Sequence, residues 1–114
     1  MASSCIFCKI VAGEIPSARL HESDNFIVIK DVKPQAPLHL LVIPKKHYDN
    51  ILDCNDAGIM EEMMAAAKDV TRTLGVQQKG FRLIINTNKD GGQTVFHLHM
   101  HILGGKSLSE QMGL

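Results

Sequence analysis

The strongest periodicity in the chain lies over residues 55–74. There Ile59, Met60, Met63, Ala67, Val70 and Leu74 fall on one side of a 3.6-residue helix, with Glu61, Glu62, Lys68 and Arg72 elsewhere. Asn55 or Asp56 can cap its start, Glu61 and Glu62 complement the dipole at that end, and Gly75 can take the left-handed conformation that stops it. Met60, Met63 and Met64 read as core and interface filling at helical spacing. Before this helix the apolar pattern shortens. Residues 5–12 predict a short helix, closed by Gly13 and kept from continuing by Pro16. Residues 18–22 and 26–30, separated by the turn-forming Ser23-Asp24-Asn25, predict a hairpin. Residues 31–37 carry two prolines and predict a loop, and the apolar run 38–43 predicts an interior strand ending at Pro44. After the long helix, residues 81–86 and 96–103 predict two more strands, joined by a polar, glycine-containing loop over 87–94.

Five strands with mostly short connections and one long amphipathic helix predict an α+β fold. Its sheet is five-stranded and largely antiparallel, accompanied by one long and one short helix. No repeat or linker divides the 114 residues, so residues 1–114 are expected to form one domain, small enough to gain from dimerisation. Lys plus Arg and Asp plus Glu balance at twelve each, which removes the overall field that would draw the chain to nucleic acid or an anionic membrane. The opening Met1-Ala2-Ser3-Ser4-Cys5 lacks the basic segment and apolar run of a signal peptide, and no stretch reaches transmembrane length. A soluble, cytoplasmic protein is the expectation. Three cysteines, two of them in Cys5-x-x-Cys8, suit a reducing compartment with a metal or redox site rather than a disulfide framework, and Cys54 reads as a buried thiol.

The chemistry concentrates in His97-Leu98-His99-Met100-His101-Ile102-Leu103. On a strand this alternation puts the three imidazoles on one face and Leu98 and Met100 in the core. A lone strand histidine is usually structural; three at period two are not easily read that way. Same-face neighbours lie about 6.7 Å apart, so His97 and His101 are separated by roughly 13 Å and cannot comfortably share one ion. Division of labour follows. Imidazole, with an unperturbed pKa near 6.5, is largely neutral and nucleophilic at neutral pH, so the middle ring can attack a phosphorus atom and later leave it. The preceding Asp90-Gly91-Gly92-Gln93-Thr94 offers unobstructed backbone N–H groups and a hydroxyl to a phosphate. Cys5-x-x-Cys8 is half of a tetrahedral zinc site, a redox pair or two packed cysteines, and no thioredoxin-like strand-to-helix pattern surrounds it.

Residues 97–103 match the His-φ-His-φ-His-φ-φ signature of the histidine triad superfamily, φ being apolar, with Gly91-Gly92-Gln93-Thr94-Val95-Phe96 preceding it as in that family. Cys5 to Glu14, Asp31 to His39 and Leu41 to His47 resemble its nucleotide-binding branch, so the likeness spans residues 5–105. The resemblance implies a homodimer with one ten-stranded sheet and hydrolysis of nucleoside phosphoramidates, with a purine nucleoside monophosphate or phosphoramidate as partner. It implies His99 as the nucleophile that becomes a nucleotidyl-histidine, His101 as a phosphate contact, and His39 and His97 as the rings that hold the working tautomers. Asn86, Gly92 and Thr94 match phosphate-side positions, Asp31 the carboxylate that takes the ribose hydroxyls, and Ile6 and Phe7 apolar residues beside the base. In the zinc-containing variety, His47 and His97 complete a Cys2His2 structural site with Cys5 and Cys8.

Two departures stand out: Thr94 replaces the more frequent serine, and the tail Glu110-Gln111-Met112-Gly113-Leu114 lacks the Trp-containing terminus of animal relatives. A dinucleoside polyphosphate hydrolase and a non-catalytic purine-nucleotide-binding adaptor are the alternative functions. His39, in an apolar strand, takes a site role from the resemblance; His21 has no such support.

Overall fold

Two neighbouring strands with apolar residues on both faces set the plan of the molecule. In the computed structural model, which describes residues 4–109, β2 (Phe26–Lys30) and β3 (Leu38–Pro44) pair antiparallel at the centre. β1 (Arg19–Glu22) flanks β2. On the other side β3 pairs with β5 (Met100–Gly104), and β5 with β4 (Arg82–Ile84). The sheet therefore runs β1-β2-β3-β5-β4, antiparallel throughout, as the α+β reading requires. Residues 1–3 and the departing tail 110–114 lie outside the described residues.

Strand parity sorts the core into two layers. Phe26, Val28, Leu40, Val42, Met100 and Ile102 face α2 (Ala57–Thr73), meeting Met63, Ala66, Ala67 and Val70. Ile27, Ile29, Leu41 and Ile43 face the opposite way and pack on Phe7 and Ile10 of α1 (Ile6–Val11). Burying a residue such as Met63 or Ile102, each 0 % exposed, stabilises the fold by about 1.5–3 kcal/mol. The second layer also carries two of the candidate site side chains, because His39 shares parity with Leu41 and Ile43 and His101 sits opposite Leu41.

Several boundaries differ from the sequence expectation. β3 includes Pro44, which lies opposite Phe26 at the end of the ladder. The 81–86 strand contracts to Arg82–Ile84 and the first strand begins at Arg19. The largest correction concerns residues 96–103: the strand begins only at Met100, and Val95, Phe96 and His97 form a bend. Leu98 N–H donates to the Tyr48 carbonyl, so this segment leaves the β3 ladder and follows the loop after β3.

α2 is capped by Asp56, whose carboxylate accepts from the N–H groups of Gly58 and Ile59, and Gly75 follows with φ of 71°. No acidic residue lies in its first turn; Glu62 instead accepts from the Asn25 side chain. Leu74 and Met64 are exposed rather than core, and Cys54 is half-buried. Among the described residues no helix is long and apolar enough to cross a membrane.

Candidate active site and metal-ligand cluster

α1 is short, so its position depends on what holds its ends. At its start Cys5 Sγ accepts from Cys8 N–H at 3.3 Å. At its end the Arg19 guanidinium donates to the carbonyls of Ile10 and Val11 at 2.9 and 3.0 Å. So fixed, α1 forms one wall of a cleft of about 550 Å³ over the second face of the sheet.

The cleft gathers Ile6, Phe7, Asp31, His39, Asn86, Gly92, Thr94, His99 and His101, which sequence reasoning named from five separated segments. Ile10, Ile29 and Leu41 extend its apolar end; sequence reasoning placed them only within a predicted helix and two strands and gave them no site role. The loop 87–94 is held by Gln93, a buried side chain given no role of its own in the sequence. Its oxygen accepts from Asn88 N–H at 2.8 Å and its amide donates to the carbonyls of Asp49 and Val95 at 2.7 and 3.1 Å. The only sequence signal for it was its place between Gly92 and Thr94.

The hydrogen bonds define the histidine tautomers, because several partners can act in one sense only. His99 Nδ1 lies 2.7 Å from the His97 carbonyl, so Nδ1–H donates. The neutral ring then keeps its lone pair on Nε2, and the ring lines the cleft beside Phe7, 5.0 Å away between centroids. Gln35 N–H donates to His39 Nδ1 at 2.9 Å, so the proton of His39 resides on Nε2, which donates to His101 Nδ1 at 2.8 Å. Asp31 Oδ2 lies 3.3 Å from the same Nε2, while its Oδ1 accepts from Lys33 N–H at 2.8 Å. His101 is left with Nε2–H as a donor. Asp31, His39 and His101 could be taken for three ligands of a metal ion, yet His39 Nε2 carries the proton and has no lone pair to offer. This cluster is a hydrogen-bond relay.

Burial keeps these rings neutral. It pushes His101 down to about 4, aided by His99 and His39 and opposed by Asp31. It lowers His99 against the His97 carbonyl and Asp31, and lowers His39 against Asp31.

His97 does not join the other two. The bend at residues 95–97 turns its ring to the Pro44 carbonyl, to which Nε2–H donates at 2.7 Å, leaving the Nδ1 lone pair toward the cysteines. Burial pushes it, too, down to about 4. Cys5 Sγ and Cys8 Sγ lie 3.3 and 3.5 Å from His97 Nδ1, and Cys8 Sγ lies 3.2 Å from His47 Nδ1. Asp49 Oδ1 accepts from His47 Nε2–H at 2.7 Å, which fixes that tautomer as well. A tetrahedral zinc ion with ordinary Zn–S and Zn–N bonds would set its sulfur and nitrogen ligands about 3.5 Å apart. All four donor atoms lie within 4.8 Å of one another, so the set fits such an ion, with the Pro44 carbonyl and Asp49 as outer partners of the histidines. Asp49 was not foreseen; a carboxylate two residues beyond a histidine ligand was its available signal.

The HIT domain family model matches residues 12–108. Protein HitA of Neisseria gonorrhoeae is 44% identical over 103 residues, which are 89% of this chain and 95% of that protein. A histidine triad protein from Clostridium difficile has 44% identity and a TM-score of 0.92, covering 98% of this chain and all of that one. A HIT family hydrolase from Clostridium thermocellum has 43% identity and a TM-score of 0.94, covering 98% and 99%. Fold, histidine cleft and these likenesses agree, and the chain belongs to the HIT domain family.

Proposed function

We propose that this chain is a nucleotide-binding hydrolase that cleaves nucleoside phosphoramidates of the AMP-amine type through a nucleotidyl-histidine intermediate. The observation that carries this reading is the His99 tautomer: Nδ1–H is committed to the His97 carbonyl, which leaves the Nε2 lone pair of a neutral ring in the cleft. His99 Nε2 attacks the α-phosphorus. The P–N bond breaks, and its electron pair leaves on the amine with a proton drawn from solvent. Water then attacks phosphorus, the P–Nε2 bond breaks, and the nucleoside monophosphate departs. His101 Nε2–H, the Thr94 hydroxyl, Asn86 and the backbone at Gly92 receive the phosphate oxygens. Asp31 takes the ribose hydroxyls, and Ile6 and Phe7 flank the purine. His39 and His97 hold the reacting tautomers, His39 through its bond to His101 and His97 through its carbonyl on His99. The hydrolytic class draws support from the similar Clostridium thermocellum protein, named a hydrolase.

In this reading Cys5, Cys8, His47 and His97 hold a structural zinc ion. The ion when bound supplies a cross-link between α1 and the segment carrying His99. Residues 1–114 form one domain, and two copies join into a ten-stranded sheet at the open β4 edge. There Phe81, Leu83 and Ile85 are only partly buried. The proposed location is the cytoplasm, since a cysteine pair serving as metal ligands suits a reducing compartment.

The test is turnover of an adenosine phosphoramidate by the whole chain and by His99→Ala. The expected loss is about four orders of magnitude or more. Unchanged turnover in the variant would remove His99 as nucleophile. Tight AMP binding with no hydrolysis by the unaltered chain would favour an adaptor, and faster cleavage of diadenosine polyphosphates would favour that substrate class.

A further inference from the structure

Asn88 stands in the loop 87–94 with φ at 60°, the one non-glycine residue at positive φ among the described residues. The left-handed region strains a residue that carries a side chain, asparagine less than most, and it persists where the surroundings over-determine it. Here three hydrogen bonds do so: Asn88 N–H donates to Gln93 Oε1 at 2.8 Å, its carbonyl accepts from Gln93 N–H at 3.0 Å, and its Oδ1 accepts from Asn50 Nδ2 at 2.9 Å. The first two close the loop on itself, since Gln93 belongs to it. The third comes from outside, from the segment between β3 and a single 3-10 turn at Ile51–Asp53.

The direction of that third bond is fixed. Leu52 N–H donates to Asn50 Oδ1 at 2.9 Å, which commits the amide oxygen and turns Nδ2 toward Asn88. Asn50 is buried, at 7% exposure, whereas Asn88 is exposed. A buried amide therefore caps a turn with its oxygen and tethers a left-handed loop residue with its nitrogen. Serine would also cap the turn, but it has no nitrogen with which to reach Asn88. Further along the same loop Gly92 and Thr94 line the cleft; neither Asn50 nor Asn88 does.

We propose that Asn50 is a positioning residue for phosphate recognition. Through Asn88 it sets the place of the loop 87–94, and with it Gly92 and Thr94, without touching the ligand. The inference rests on the phosphate-side assignment of those two residues given above.

The experiment measures, by calorimetry, the affinities for AMP and for adenosine of the unaltered chain, Asn50→Ser, Asn88→Gly and the double variant. Serine keeps the cap, and glycine takes the left-handed conformation without strain. The unaltered chain is expected to bind AMP more tightly than adenosine. Asn50→Ser should weaken AMP binding by about tenfold, the scale of one hydrogen bond, and leave adenosine binding unchanged. In the Asn88→Gly background the same substitution should add nothing, because the tether has already lost its far end. Equal losses for AMP and adenosine, no loss for AMP, or the same AMP loss in both backgrounds would overturn the positioning role alone. An unaltered chain that binds AMP no more tightly than adenosine would instead overturn the phosphate-side reading, and the positioning role with it.

Discussion

His39 Nε2 lies 2.8 Å from His101 Nδ1, joining a residue of β3 to one of β5 through a bond whose direction is set by the backbone N–H of Gln35. Removing the donor in His39→Ala frees His101 to take the other tautomer and turn its lone pair toward the phosphate. A loss in kcat of about 10- to 100-fold is expected, the scale for losing an outer partner of a working histidine. The fall should lie in kcat rather than KM, and ¹⁵N chemical shifts should report the changed His101 tautomer. Unaltered kcat would mean that His101 keeps its proton without help.

The cysteine pair predicts a metal-dependent gain in stability. Native mass spectrometry of the whole chain should show one zinc per protomer, and Cys8→Ser should lose it. Because the cluster joins α1 to the bend at His97, chelation or Cys8→Ser should lower Tm by at least about 5 °C, corresponding to roughly 1 kcal/mol in a domain this small. Equal melting of the metal-free and zinc-treated chains would count against a structural ion.

Acid should weaken the fold through the relay histidines. His101 is pushed from 6.5 to about 4, so between those values the unfolded chain binds more protons than the folded one. Stability is therefore full above pH 6.5 and falls as the pH drops toward about 4, by at most about 1.4 kcal/mol per pH unit for this residue. Burial is the main cause of this value; of the groups that face the ring, His99 and His39 add to it and Asp31 opposes it. Urea midpoints across the window should show the slope, and His101→Asn should flatten it. An identical slope in the variant would assign the acid sensitivity elsewhere.

Gly91 and Gly92 should respond differently to the same added methyl group. A Cβ on Gly91 would run into the backbone of Thr87, which cannot move aside without opening the loop. At Gly92 the space is open, but φ is 83°, where an L side chain is strained. Gly91→Ala is expected to cost about 1–3 kcal/mol and displace the phosphate-side backbone, whereas Gly92→Ala should cost about 1 kcal/mol. Thermal melts and AMP affinity would rank them; the reverse order would mean that the loop relaxes freely at Gly91.

Much of this architecture was legible in residue order. The two faces of β2 and β3, the α2 stripe around Met63 and Val70, and the glycine after α2 each follow from a repeat or a single backbone requirement. The cleft was legible because its residues form local motifs, even where 62 positions separate His39 from His101. What alternation could not convey was the bend at residues 95–97. Period two predicts one continuous strand, but the pull of Tyr48 on Leu98 N–H and of Pro44 on His97 is tertiary and leaves no periodic trace. Arg19 and Gln93 were missed for a related reason: their partners are backbone carbonyls and N–H groups, which every sequence contains.

The six residues of α1 have a wider consequence. Cys8 points from this helix to the sulfur–nitrogen cluster, Phe7 from the same turn to the His99 ring, and Arg19 clamps the far end. With so little helix between them, the proposed zinc ion and nucleotide are expected to change one another's free energy of binding, and linkage makes any such effect reciprocal. On the proposed reading, a cell short of zinc would retune the protein's hold on its nucleotide with no change in how much protein it makes.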